Sequence, residues 1–307
     1  MKKSNESFAM SIQGSTTTGL ISRVRIFLEM IKFSHTIFAL PFAFTGAVLA
    51  ARGLPTPYQG FWIILAMVGA RTAAMGLNRL IDAEIDAKNP RTSGRALPAG
   101  LLGKGTVAAC VAVAIMLLLY ASSRLNLLCF YLSPIALFFL VLYSYCKRFT
   151  SLAHVVLGLC LGAAPVGAWI AIRGVVELPA VLLGCAVLFW SAGFDILYAL
   201  QDLDFDRAAG LHSIPVRLGV RGSLVAARLF HLVMMALLVA LAAVMQLGVP
   251  YFVGLLAAAA MLTYEHRLLR GGDLSKLDMA FLNMNGYISL VIFFCTLADV
   301  LVRKGGA

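Results

Sequence analysis

The segment NRLIDAEIDAKNPRTSGRALPAG, which runs from Asn78 to Gly100, directly follows a long apolar stretch of the chain. In it a group of acids is followed by a group of bases: Asp82, Glu84 and Asp86, then Lys88, Arg91 and Arg95. If the apolar stretch crosses a membrane, these charges lie at the membrane edge. Their grouping indicates either a solvated helix end or a site for charged ligands.

The composition is that of an integral membrane protein. Of 307 residues, 61% are hydrophobic and 13% are charged, and the mean hydropathy is +0.91. Soluble domains carry about 25% charged residues, so water-soluble folds are excluded. Apolar runs predict an all-α bundle of about nine transmembrane helices. The predicted spans are 34–51, 60–81, 104–121, 125–145, 152–172, 178–200, 223–246, 250–266 and 280–302.

The distribution of Lys and Arg predicts the orientation, because positive residues are retained on the cytoplasmic side. They precede the first predicted span and fill the connections after even-numbered spans, so we expect a cytoplasmic N-terminus. The net charge of +11 reflects this bias and not nucleic-acid binding. The first 30 residues lack the apolar core of a secretory signal. We expect a short cytoplasmic arm at 1–32 and one transmembrane domain at 33–307.

The cysteines occur singly in apolar stretches, without a CxxC pair, and are expected to be packing residues. They are Cys110, Cys129, Cys146, Cys160, Cys185 and Cys295.

Two acidic clusters end even-numbered spans and therefore open to the cytoplasm. Asn78, Asp82 and Asp86 are spaced by four, so they share one face if the helix continues to its end. Asp202 and Asp206, in QDLDFDR, repeat this spacing. Carboxylates gathered in one cleft repel one another unless cations lie between them. Oxygen ligands without His or Cys are typical of Mg²⁺, which often shares its shell with substrate phosphate.

One acidic cluster at a helix end is usually a solvated cap. Two clusters with matching spacing, on the same side and each followed by bases, favour a site. Glu84 and Asp204 lie two residues away from the acids that share a helix face. We expect them to be solvated, or to lie near the metal ion without binding it directly.

Two further ionisable residues lie within predicted spans, where charges are costly and usually functional. Arg71 precedes Asn78 by two helical turns, and its planar guanidinium suits a carboxylate. The alternative is a buried structural ion pair. Asp195 lies about two turns before Asp202, with Tyr198 between them. Asp195 could be linked to Mg²⁺, act as a base or pair with Arg71.

Tyr143 and Lys147, in YSYCKR, are spaced by four at the end of a span. Taken alone, they are explained by an aromatic belt and by snorkelling. His35 and His154 lack a second ligand at metal spacing, and we interpret them as packing residues or polar contacts.

The chain resembles the UbiA superfamily of intramembrane prenyltransferases, and in particular the branch that prenylates 4-hydroxybenzoate. The family signature NxxxDxxxD followed by RTxxRxLP matches Asn78–Pro98. DxxYxxxDxxxD matches Asp195–Asp206, and YxxxKR matches Tyr143–Arg148. One departure is Arg79, where members often carry Asp after the first Asn.

The resemblance implies a Mg²⁺-dependent transfer of a polyprenyl group from its diphosphate to the carbon ortho to the hydroxyl of 4-hydroxybenzoate. It also implies a central cavity open to the cytoplasmic side of the inner membrane. The implied metal ligands are Asn78, Asp82, Asp86, Asp202 and Asp206. The implied diphosphate-binding bases are Lys147, Arg91 and Arg95.

The remaining implied roles concern the reacting carbons. Tyr143 and Tyr198 would border the allylic carbon or the diphosphate. Arg71 would hold the aromatic carboxylate, and Asp195 would lie near the aromatic acceptor. The proton lost from the ring would pass to diphosphate or to Asp195. The partners are polyprenyl diphosphate, a small aromatic acid and the bilayer, with no nucleic acid and no obligatory protein partner evident.

Other functions remain open at this point. The acceptor could instead be 1,4-dihydroxy-6-naphthoate in menaquinone synthesis, because it also bears a carboxylate. Homogentisate, haem and chlorophyll precursors are acceptors elsewhere in the superfamily. An ion-coupled transporter is the remote alternative, but transporter sites lie near the midplane between inverted repeats, whereas these acids gather at one face.

Overall fold

The computed structural model describes residues 19–31, 36–269 and 277–305. The described chain is helical and contains no strand. Its helices are α1 (Leu20–Met30), α2 (Thr36–Ala51), α3 (Pro57–Lys88), α4 (Lys104–Leu125), α5 (Leu127–Cys146), α6 (Ala153–Arg173), α7 (Leu178–Ala199), α8 (Leu203–Ala208), α9 (Ile214–Met245), α10 (Val249–Leu268) and α11 (Leu277–Gly305). His35 lies outside the described residues.

The all-α membrane fold is confirmed. Seven helical segments in the described chain are long and apolar enough to cross a membrane. They are Pro57–Lys88, Lys104–Leu125, Leu127–Cys146, Ala153–Arg173, Leu178–Ala208, Ile214–Met245 and Met284–Gly305. A helix also lies at the predicted first and eighth spans, but α2 and α10 are not among these seven. The count of nine therefore stays a prediction.

Helix α3 extends well beyond the predicted span 60–81. It starts at a capping box, in which the Thr56 hydroxyl accepts a hydrogen bond from the backbone N–H of Gln59, and Pro57 occupies its first turn. Its 32 residues give a length of about 48 Å, against a hydrocarbon core of about 30 Å. The last turns therefore reach past the apolar layer, and Asn78, Asp82 and Asp86 lie on one continuous helix as expected.

The second acidic segment is less regular than its sequence suggests. Helix α7 ends at Ala199, a 3₁₀ turn spans Leu200–Asp202, and the short helix α8 follows. The spacing from Asp195 to Asp202 is therefore not that of one uninterrupted α-helix. Helix α9 begins at Ile214, where the Ser213 hydroxyl accepts a hydrogen bond from the backbone N–H of Val216. It is kinked at Gly219, whose φ of 66° is not helical, and the part after the kink begins close to the predicted span 223–246.

Small residues bring α6 and α7 into close contact. A Cβ on Gly158 would lie 2.5 Å from the carbonyl oxygen of Leu188, and one on Gly162 would lie 2.3 Å from that of Gly184. Such approaches are typical of helix pairs in membranes. They place the first turn of α6 beside the end of α7, which carries part of the site.

The described part of the predicted arm is helix α1, which packs against the chain after α3. Its buried residues Ile26, Phe27 and Met30 belong to one cluster with Leu102 and Val107. This cluster supports the connection between α3 and α4 from one side. Because that connection carries Arg91 and Arg95, α1 helps to hold the bases of the first signature in place.

Candidate active site

The two acidic segments meet at the ends of α3 and α7. The Asn89 side chain donates a hydrogen bond of 2.9 Å to Asp202 Oδ1, and Arg91 Nε donates another of 2.8 Å to the same oxygen. Arg91 Nη2 also pairs with Asp202 Oδ2. The position of Arg91 is set locally, because its backbone N–H donates to Asn89 Oδ1 at 2.9 Å. Segments more than a hundred residues apart in sequence thus form one polar cluster.

The junction of the two segments changes the pKa of Arg91. Burial by itself would lower the pKa of its guanidinium, but the hydrogen bond and charge of Asp202 outweigh that cost and raise the pKa above its ordinary value. Arg91 Nη1 also donates to the Tyr198 hydroxyl at 3.3 Å, and the guanidinium lies 5.5 Å from the centre of that ring. The base therefore bridges an acid and an aromatic side chain on α7.

Asp86 lies between two arginines. Arg95 Nη1 contacts both carboxylate oxygens, at 2.8 and 2.7 Å, and Arg79 Nη1 lies 3.7 Å from Oδ2. The Thr92 hydroxyl donates to the Asp86 backbone carbonyl at 2.9 Å, which fixes the turn that carries Arg95. Asp86 is only 5% exposed, so its charge is balanced almost entirely by these bases.

Asp82 is paired in the same way with helix α5. Lys147 Nζ lies 2.7 Å from Oδ2, which also accepts a hydrogen bond of 2.9 Å from the Asn78 amide. Arg148 Nη2 lies 3.1 Å from Oδ1, although this contact is not aligned as a hydrogen bond. Asp82 is 3% exposed. The first cluster is therefore held by bases from α3, from the following connection and from the end of α5.

Two of these bases were not assigned a role from the sequence. Arg148 lies within a recognised signature, and it also donates to the backbone carbonyls of Ser144 and Ile81, at 2.7 and 2.8 Å. Arg79 was noted only as a departure. It is buried, and its Nε has no hydrogen-bond partner among the described residues. Its position seven residues before Asp86 could have identified it, because side chains two turns apart lie on nearly the same face.

The other predicted residues differ in their surroundings. Asp206 is half-buried and makes no hydrogen bond or ion pair with the part of the chain described. Tyr143 is also half-buried, within electrostatic range of Asp82 and Asp195. Glu84 and Asp204 are exposed, which agrees with their prediction as solvated side chains.

Arg71 has no ion pair with any described residue, and its buried Nε lacks a hydrogen-bond partner. The alternative of a structural ion pair is therefore wrong for the described chain. The suggested partnership of Arg71 with Asp195 is also wrong. Asp195 instead contacts the neighbouring helix, where its Oδ2 lies 2.7 Å from His154 Nδ1.

As the side chains lie, no three His, Cys, Asp or Glu residues of the described chain come close enough together to hold a metal ion. Arg and Lys side chains contact Asp82, Asp86 and Asp202 instead. All six cysteines are unpaired, which agrees with their predicted role in packing. The site therefore contains the buried carboxylates of Asp82 and Asp86 and the half-buried carboxylate of Asp202, each paired with Arg or Lys, and the half-buried carboxylate of Asp206, which has no ion pair among the described residues.

The acidic and basic side chains thus form one polar cluster at the ends of α3, α5 and α7, and comparison with known proteins shows the family of the chain. Residues 39–288 match the UbiA prenyltransferase family. The chain belongs to this family and is a multi-pass membrane prenyltransferase.

Individual relatives extend this finding. The 4-hydroxybenzoate octaprenyltransferase of Aliivibrio fischeri is 32% identical over 254 residues, which cover 83% of this chain and 88% of that protein. The protein of the same name from Cupriavidus metallidurans is 29% identical over 292 residues, covering 94% and 99% of the two chains. The apo structure of a UbiA homolog from Aeropyrum pernix K1 has a TM-score of 0.79 at 33% identity, covering 87% of this chain and 98% of that one.

A more distant structure shares the fold. The UbiA homolog from Archaeoglobus fulgidus, bound to DMAPP and Mg²⁺, has a TM-score of 0.66 at 18% identity and covers 90% of this chain and 99% of that one.

Proposed function

We propose that this protein transfers a polyprenyl group from polyprenyl diphosphate to 4-hydroxybenzoate, at the ring carbon ortho to the hydroxyl, in a Mg²⁺-dependent reaction. The observation that carries the proposal is the junction of two acidic segments with five bases, which pair with Asp82, Asp86 and Asp202. Such a site can bind a metal ion and a diphosphate together. The carboxylates then pair with the metal ion, and the Arg and Lys side chains pair with the diphosphate.

The side chains of the two segments fit Mg²⁺ by their chemistry. They supply carboxylate and amide oxygens without sulfur or imidazole, which is the donor set that Mg²⁺ prefers. Asp206 is a half-buried carboxylate without a partner in the described chain, and a cation would satisfy it. The residues that would hold Mg²⁺ are Asn78, Asp82, Asp86, Asp202 and Asp206. When bound, Mg²⁺ supplies charge stabilisation to the departing diphosphate.

The bases have two alternative partners. Arg91, Arg95 and Lys147 are now within hydrogen-bond distance of carboxylates. We expect them to turn from these acids to diphosphate oxygens when the substrate binds. They would then stabilise the leaving group electrostatically as the allylic C–O bond breaks. Tyr198, which already contacts Arg91, and Tyr143 would border the allylic carbon, where an aromatic face stabilises positive charge.

Arg71 supplies the proposed recognition of the acceptor. Its guanidinium has no ion pair among the described residues, and an unpaired charge at this depth is costly unless a ligand or water satisfies it. A planar guanidinium binds a carboxylate through two parallel hydrogen bonds. The carboxylate of 4-hydroxybenzoate fits this role, and that of 1,4-dihydroxy-6-naphthoate fits it equally well. The names of the relatives favour the former.

We place the N-terminal arm 1–32 and the site on the cytoplasmic side of the cytoplasmic membrane, with residues 33–307 as one transmembrane domain. The Lys and Arg bias of the connections supports this orientation, since the bases of the site belong to the same connections. The substrates would then reach the site from the cytoplasm and from the bilayer.

The test offers both acceptors in competition. Membranes that contain the protein are supplied with Mg²⁺ and labelled polyprenyl diphosphate, and product masses are measured. Prenylated 4-hydroxybenzoate is the expected product, and prenylated naphthoate would move the enzyme to menaquinone synthesis. Diphosphate release without either product would refute both acceptors. An inactive Asp82→Asn variant is the control for background hydrolysis.

A further inference from the structure

His154 and Asp195 form a buried pair whose geometry the sequence did not reveal. His154 Nδ1 lies 2.7 Å from Asp195 Oδ2. The imidazole is 4% exposed, and its other nitrogen, Nε2, is buried without a hydrogen-bond partner. A buried polar atom without a partner costs free energy, and such atoms in a native structure call for a functional explanation.

The contact determines which nitrogen can accept a proton. An ionised carboxylate only accepts hydrogen bonds, so in the neutral imidazole the Nδ1–H must donate to Asp195. Nε2 then carries the lone pair. A carboxylate that orients an imidazole in this way also stabilises the imidazolium that forms when Nε2 takes up a proton.

The pair is held rigidly and close to the site. His154 lies in the first turn of α6, and the close approach of Gly158 and Gly162 to α7 fixes this turn against Asp195. His154 is within electrostatic range of Asp206, and Asp195 is within range of Tyr143. The His154–Asp195 pair therefore lies near Asp206 and Tyr143, two residues of the candidate site.

We propose that His154, oriented by Asp195, accepts the proton that the aromatic ring loses during prenyl transfer. This inference rests on the proposed function. The ring carbon forms a C–C bond to the allylic carbon, and diphosphate leaves with the electron pair of the broken C–O bond. The C–H electrons then return to the ring while the proton passes to Nε2. Asp195 acts as the positioning residue, since its Oδ2 is already engaged by Nδ1.

The first experiment compares His154→Gln with the matched variant His266→Gln. His266 is a half-buried imidazole on α10 that is hydrogen-bonded to His231 at 2.9 Å and has no ion pair with the acids of the candidate site. We expect His154→Gln to slow prenylation of 4-hydroxybenzoate about 100-fold or more, with the Kd of a non-hydrolysable prenyl diphosphate analogue unchanged. An acceptor deuterated ortho to the hydroxyl should react more slowly than the normal one in this variant. His266→Gln should keep the wild-type rate.

A second variant tests the orientation of the ring without removing it. In Asp195→Asn the amide can donate to Nδ1, which moves the imidazole proton to Nε2 and abolishes the acceptor. The rate should fall about 100-fold or more, again without loss of analogue binding.

The outcomes distinguish failure of the proposed role of His154 and Asp195 from failure of the proposed prenyl transfer. Wild-type rates in both variants, or loss of analogue binding together with the rate, would overturn the role of the pair. A wild-type chain that prenylates no aromatic acceptor would overturn the proposed function and the proton transfer with it.

Discussion

The two acidic segments look alike in the sequence and differ in the structure. The first lies on the unbroken helix α3, and each of its two buried aspartates is contacted by two bases. The second lies across a 3₁₀ turn between two helices, where Asp202 has one base and Asp206 has none in the described chain. The same spacing of acids therefore supports two electrostatic environments, one fully compensated and one short of positive charge.

This difference predicts different roles for the two segments in binding Mg²⁺ and diphosphate. In the first segment a cation must displace bases that already neutralise the carboxylates. In the second, no base forms an ion pair with Asp206 among the described residues, although Lys147 and Arg91 act on it from a longer distance. We therefore expect the second segment to dominate the affinity for Mg²⁺ and the first to control the transfer of bases to diphosphate.

The largest effect should come from removing one ion-paired acid from each segment, Asp82 from the first and Asp202 from the second. Asp82→Asn leaves Lys147 and Arg148 without their counter-ion, and Asp202→Asn does the same for Arg91. Each variant should lose prenyl transfer by about 100-fold or more at any Mg²⁺ concentration, since electrostatic stabilisation of the leaving group is lost. Product formation across a Mg²⁺ titration measures this. Substantial recovery at high Mg²⁺ would show that the acids are dispensable.

The variants Asp206→Asn and Asp86→Asn test the expected difference in Mg²⁺ affinity between the two segments. Asp206→Asn should raise the Mg²⁺ concentration for half-maximal activity about tenfold or more, because an uncompensated carboxylate is lost. Asp86→Asn should raise it less, since Arg79 and Arg95 already balance that charge. The two Mg²⁺ titrations are run side by side, with unfolding temperatures as the control. The reverse order would refute the assignment of Mg²⁺ affinity to the second segment.

Arg71 lies outside both segments, and its substitution should separate acceptor binding from metal binding. Arg71→Ala should raise the KM for the aromatic acid about 10- to 100-fold, because a charged hydrogen bond is lost. It should leave kcat and the Mg²⁺ requirement nearly unchanged, since the contact is the same in the ground and transition states. Steady-state kinetics with each substrate varied measure this. An unchanged KM for the acid would remove Arg71 from the acceptor site.

The smallest effect is expected at the central acid of each segment. Glu84 and Asp204 are exposed and make no ion pair among the described residues. Glu84→Gln and Asp204→Asn should change the rate by less than about twofold, as surface substitutions usually do. These variants are matched controls for Asp82→Asn and Asp202→Asn, because each removes one carboxylate from the same segment. A large loss would show that proximity in sequence, and not position on the helix face, determines function.

Much of the fold was predictable because its determinants are local. Hydropathy alone predicted a helix at each of the seven membrane-spanning segments. The four-residue spacing placed Asn78, Asp82 and Asp86 on one face of α3, since helical periodicity depends only on the backbone. The part of α9 before residue 223 was left out of the predicted span because Arg217, Arg221 and two glycines interrupt its apolar residues, although Ser213 caps the helix.

The features of the site that the sequence left open have a different cause, and the contact of His154 with Asp195 agrees with one of the two interpretations offered for that histidine. The interruption after Ala199 was not predicted, because nothing in ALQDLDFD excludes a continuous helix. His154 was interpreted as a packing residue or polar contact because no second ligand stood nearby in sequence, yet its partner Asp195 is 41 residues away. Arg79 was noted only as a missing acid, and its burial beside Asp86 became evident in the structure.

The sequence by itself determined the membrane class, the helical architecture and the identity of the charged residues, because hydropathy and helical spacing are properties of short segments. The tertiary structure decided which base neutralises which acid, that Asp206 is left without one in the described chain, and that Asp195 orients His154. These pairings depend on how closely α6 and α7 approach and on where the connection after α3 folds back. Such contacts are set by packing between distant segments, so no local pattern encodes them.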